Sequence, residues 1–110
     1  MYEMNAPMYQ QMNSLEKKIA IKDVMNAKER VSLAQAAHEV EVKALEECEK
    51  ALVDGFHAKV SLAKFDQLRT SKRIQARVVR ESFRTLVAAM NALDDADTKY
   101  DMLLSATNTR

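Results

Sequence analysis

Residues 20–55 read AIKDVMNAKERVSLAQAAHEVEVKALEECEKALVDG, and a single ladder runs through them. Ala20, Val24, Ala27, Val31, Ala34, His38, Glu41, Leu45, Cys48 and Leu52 are separated by alternating steps of four and three residues. That spacing keeps one face of a helix turned toward a partner helix, because an apolar repeat every 3.5 residues makes a coiled-coil seam. The ladder stops at Asp54-Gly55-Phe56-His57, near the middle of the 110-residue chain. Gly55 is the single glycine, and glycine is favoured just past a helix end because it takes positive φ without strain. The stretch therefore predicts a helix followed by a chain reversal at Gly55.

A second ladder follows: Ala58, Leu62, Phe65, Arg69, Lys72, Ala76, Val79, Phe83, Leu86, Met90, Leu93, Asp97, Tyr100 and Leu104. The expected fold is all-α, an antiparallel two-helix hairpin of coiled-coil type completed to a bundle by oligomerisation or a partner. One domain over 7–106 is expected, with helix A over about 7–54, the turn at Gly55 and helix B over about 57–104. Pro7 suits a helical first turn, where its missing N–H costs nothing, so 1–6 are expected to fray. The polar end, 107–110, is expected to be a disordered tail.

Composition narrows the alternatives. One glycine and one proline leave too little turn chemistry for a β-rich fold. One cysteine excludes an internal disulfide. Seventeen basic residues against sixteen acidic ones give no global signature of a polyanion binder. The longest purely apolar run, Leu86 to Met90, is far shorter than a membrane span, and no signal peptide is visible. A cytoplasmic protein, or one within a soluble assembly, is the expectation.

Charge is arranged in blocks. Residues 14–30 carry a net +2, 38–54 a net −4, 57–84 a net +6 and 91–104 a net −3. Opposite blocks meet when the chain folds back on itself, and like blocks meet if two copies pair in parallel. A fold at Gly55 sets residue i against 111 − i, which brings Lys17 and Lys18 to Asp94 and Asp95. It also sets Glu41 opposite Arg69, a polar register pair inside the seam, and His38 opposite Lys72.

Apolar residues also stand off the ladders. Leu33, Ala37, Val40 and Ala44 form a second stripe on helix A, and Leu68, Ile74, Val78 and Val87 lie outside the ladder of helix B. Two helices alone bury too little to be stable, so these residues call for further helices. Met4, Met8 and Met12 make an N-terminal stripe suited to core packing or to soft docking of a partner. The expected function is a non-catalytic structural, assembly or adaptor module. Its partners would be copies of itself or another helical protein, with no small-molecule substrate.

One polar feature competes. Arg73, Arg77, Arg80 and Arg84 step by four, three and four along one helical face. In the 111 − i register they lie beside Ala27, Val31, Ala34 and His38, none of them acidic. They therefore form a candidate site for an acidic partner or, as the alternative function, a nucleic-acid backbone. A catalytic set is not apparent, and no cofactor is expected. His38 and Glu41 share a face and mark a remote alternative, a metal-dependent bundle enzyme, but no full ligand motif accompanies them.

Overall fold

A computed structural model describes the backbone of residues 2–108 and the side chains of 14–106. Helix α1 spans Tyr2–His57 and helix α2 spans Leu62–Asn108, forming an all-α antiparallel hairpin. Helix thus begins before Pro7 and continues past residue 107; Thr109 and Arg110 lie outside the described residues. The chain divides into two compact units. The turn unit is Ser32–Ala88, and the terminal unit combines Met1–Val31 with Ala89–Arg110.

The reversal is not at Gly55. Gly55 is a buried, helical residue of α1, and its φ is not positive. Its lack of a Cβ makes room for two side chains: a Cβ there would stand 2.8 Å from Leu68 Cδ1 and 3.4 Å from Val60 Cγ2, so Leu68 would have to shift. The left-handed position falls instead on Lys59, at φ 53°. Lys59 N–H donates to the Phe56 carbonyl and Val60 N–H to that of Gly55, so α1 ends in a Schellman turn. A lysine in this conformation costs about 1 kcal/mol or more relative to glycine. Ser61 then caps α2, its Oγ accepting from Lys64 N–H and its carbonyl from Phe65 N–H. Half-buried Val60 and Phe65 occupy the two positions of a hydrophobic staple around that cap.

Moving the turn moves the register. In the turn unit His38 meets Ser82, so residue i lies opposite 120 − i and not 111 − i. Every α1 ladder position from Ala20 to Leu52 is buried or half-buried, and the ladder extends to Gly55. On α2 the ladder is right at alternate positions only. Phe65, Lys72, Val79 and Leu86 face α1 in the turn unit, as expected. The intervening seam positions are Leu68, Gln75 and Ser82, each one residue before the expected Arg69, Ala76 and Phe83. In the terminal unit half-buried Ala89 likewise takes the place of exposed Met90, whereas Ala96 and Asp97, and Leu103 and Leu104, are all half-buried.

The packing explains the correction. Val24, Val31 and His38 of α1 fall level with Ala96, Ala89 and Ser82, small residues that leave room for them. Conversely, Ala27 and Ala34 fall level with Leu93 and Leu86. Each of these five layers holds one large and one small side chain, which lets the helices approach closely there. Phe83 or Met90 at those positions would have met a valine or a histidine. The seam is narrow as a result: the buried hydrophobic side chains are Ala20, Ala27 and Ala34, and no large side chain is fully buried among the described residues.

Two polar layers sit in the turn-unit seam. Ser82 Oγ donates to the Val79 carbonyl at 2.9 Å, so its contact with His38 Nδ1 at 2.7 Å has the histidine N–H as donor. Glu41 is bonded by Gln75, whose Nε2 donates to its Oε2 at 2.7 Å and its backbone carbonyl at 3.0 Å. The expected Glu41–Arg69 pair is therefore replaced by Glu41–Gln75, and Arg69 is exposed.

Candidate helix-docking surface

A seam through Glu41 and Gln75 fixes which residues stand on either side of it. Antiparallel coiled coils set like flanking positions of the two helices side by side. On one flank of the turn unit, α1 contributes Ala37, Ala44 and Ala51 beside the seam, with Leu33, Val40 and Glu47 behind them. On the same flank α2 contributes Ser71, Val78 and Thr85, with Ile74, Glu81 and Ala88 behind. The predicted α1 stripe thus continues onto α2 through Ile74 and Val78. Ala44, Ala51 and Val78 are half-buried, whereas Leu33, Val40 and Ile74 are 65 %, 63 % and 60 % exposed. Leu68, read as off the ladder, belongs to the seam against Gly55.

The other flank carries more charge. There α1 places Gln35, Val42 and Glu49 beside the seam with Glu39, Glu46 and Val53 behind, and α2 places Arg69, Ala76 and Phe83 with Arg73, Arg80 and Val87, so charged and apolar residues are mixed. The His38 ring lies 5.7 Å from the half-exposed Phe83 ring, and the two share a shallow depression with Val79, Arg80 and Arg84. All four arginines of the stripe are exposed. Their neighbours differ from those expected: the observed register sets Arg80 level with Glu39 and Arg73 level with Glu46. Arg77 and Arg84 come level with Lys43 and Ala36, so two of the four arginines stand near acidic residues of α1.

In the terminal unit, Glu16, Ile19 and Ala20 of α1 line one hollow with Lys99 and Leu103 of α2. Lys17 and Lys18 are therefore level with residues near 102 and 103, about two turns beyond Asp94 and Asp95. The side chains of Met4, Met8 and Met12 lie outside the described residues.

No reactive constellation forms around these features. The Nδ1 of His38 is engaged by Ser82 and the Glu41 carboxylate by Gln75. Among the described residues no three His, Cys, Asp or Glu side chains converge as metal ligands. Cys48 is half-buried in the seam. Among the described residues no helix is long and apolar enough to cross a membrane.

Comparison with known proteins gives no match: no family model, characterised protein or solved structure is detectably similar to this chain. The functional reading rests on the flanks alone. Residues missed at the sequence level are Ile74 and Val78 as members of the α1 stripe's own face. The signal that places them is the α2 heptad phase, which Gly55, read as a turn, had displaced.

Proposed function

We propose that the protein is a non-catalytic assembly module, whose hairpin is completed into a helical bundle by helices of further copies. The apolar flank carrying Leu33, Val40, Ile74 and Val78 is the contact. One observation carries this reading: among the described residues the buried hydrophobic side chains are three alanines, while large hydrophobic side chains stand uncovered on both helices, Leu33, Val40 and Ile74 on this flank among them. An alanine core supplies little of the apolar burial that folding requires. Covering Leu33, Val40 and Ile74 would add about 1–2 kcal/mol each. A second layer of helices is the economical way to cover a face of this geometry.

Light scattering across a concentration series tests the reading. Wild-type protein is expected to exceed the mass of one chain, and Val40→Asp to shift that assembly to at least tenfold higher concentration with helicity unchanged. A wild type that stays monomeric throughout, with the same melting curve as Val40→Asp, would mark the flank as ordinary exposed surface.

A further inference from the structure

The turn carries a second kind of association. Lys59 stands in a left-handed conformation that disfavours any residue with a Cβ. Yet Phe56-His57-Ala58-Lys59-Val60-Ser61 contains neither glycine nor proline, so nothing in its chemistry forbids a helix. The pairing of i with 120 − i in the turn unit is symmetric about residue 60. A second copy laid antiparallel across that point would therefore offer α1 the same partners: Ser82 for His38, Gln75 for Glu41 and Leu68 for Gly55.

From these observations we infer that two copies exchange their second helices. In the exchanged dimer residues 56–61 are helical, α1 and α2 join into one helix, and the two long helices cross at residue 60. The steps from Gly55 through Ala58 and Leu62 to Phe65 are three, four and three, so the seam is continuous through the former turn. Its two extra three-steps, one at Gly55–Ala58 and one at Phe65–Leu68, tighten the supercoil locally. Exchange also adds a contact the hairpin lacks. Leu62, 79 % exposed beside the turn, comes level with Ala58 of the second copy, and Ala58 with its Leu62. A large side chain then covers a small one on both sides of the two-fold axis.

Against these gains stand the Schellman turn, the Ser61 cap and the lost freedom of a second chain. The balance is therefore set by concentration, with the closed hairpin at the low end and the exchanged dimer at the high end. The inference concerns the turn alone. An exchanged dimer leaves the Leu33–Val40 flank as open as the hairpin does.

The natural cysteine supplies the test. Cys48 sits in the seam, and position 72 is level with it. In oxidised Lys72→Cys protein the hairpin gives a disulfide within one chain, and the exchanged dimer gives two disulfides between chains. Non-reducing electrophoresis after oxidation at increasing protein concentration should show a covalent dimer whose share rises with concentration. Lys59→Gly, which relieves the turn and weakens the continuous helix, should lower the dimerisation constant about tenfold or more. Ala34→Cys with Leu86→Cys in a Cys48→Ser chain asks the same question elsewhere in the seam. Val40→Asp should leave the between-chain share unchanged, which separates exchange from flank assembly. Disulfides confined within single chains, at concentrations where light scattering finds two or more chains per particle, would overturn the exchange.

Discussion

The two flanks of the turn unit are built from the same two helices and part from the same seam, yet their chemistry differs. One sets Leu33, Ala37, Val40 and Ala44 beside Ile74 and Val78. The other sets Glu39, Glu46 and Glu49 in line with Arg69, Arg73 and Arg80. On the charged flank each helix offers what the other lacks, although no salt bridge closes across the seam among the described residues. On the apolar flank neither helix covers the other. The proposed assembly contact is placed by unmet apolar demand and not by conspicuous charge. An arginine stripe attracts attention in a sequence, but its own fold sets acidic residues alongside two of its members.

The largest difference between the flanks should appear on adding charge to the apolar one. Leu33→Asp with Val40→Asp is expected to weaken assembly by a hundredfold or more, about 3 kcal/mol, while circular dichroism reports unchanged helicity. Equal assembly by this variant and wild type would erase the distinction between the flanks.

The next effect tests the helical phase that separates them. Ser82→Leu should cost about 1–3 kcal/mol by crowding His38 and removing its hydrogen-bond acceptor. Phe83→Gln, one residue on, should cost less than about 1 kcal/mol, since that ring stands half in solvent. Thermal melts of the two variants settle the order. A larger loss from Phe83→Gln would rotate α2 by one residue and redraw both flanks.

Two smaller effects sharpen the charged side. Lys17 and Lys18 do not face Asp94 and Asp95 in the observed register. Reversing both pairs should therefore give additive changes, with a coupling below about 0.5 kcal/mol in a double-mutant cycle. Restoration of stability by the combined variant would return the register to 111 − i. Smallest of all, Arg77→Gln with Arg80→Gln should change melting by no more than about 0.5 kcal/mol and leave assembly as it was. Assembly that weakens in this variant, with a steep dependence on salt, would move the contact to the charged flank.

The hairpin, its antiparallel sense and the whole α1 seam were legible in the spacing of Ala20 through Leu52. That helix carries alanine at Ala20, Ala27 and Ala34, every second seam position before Glu41, so period and packing point the same way there. The α2 seam was legible only by halves. Phe83 and Met90 are more hydrophobic than Ser82 and Ala89, and a ladder chosen for hydrophobicity takes them. What selects the small residues is Val24, Val31 and His38 on the facing helix, which is information held in neither helix alone. The turn was misplaced for a related reason. Gly55 was read for its freedom in φ, whereas its missing Cβ admits Leu68. Nothing local in Ala58-Lys59-Val60 announced a left-handed lysine. The apolar stripe of α1 was legible as a stripe, but its continuation through Ile74 and Val78 had to wait for the register.

The central claim is that the apolar flank holds copies of this chain together. Its most direct test is the mass of wild-type and Val40→Asp protein by light scattering at matched concentrations, with helicity measured on the same samples. A smaller mass for Val40→Asp at every concentration where wild type assembles, with equal helicity, is the predicted result. Equal masses throughout would contradict it.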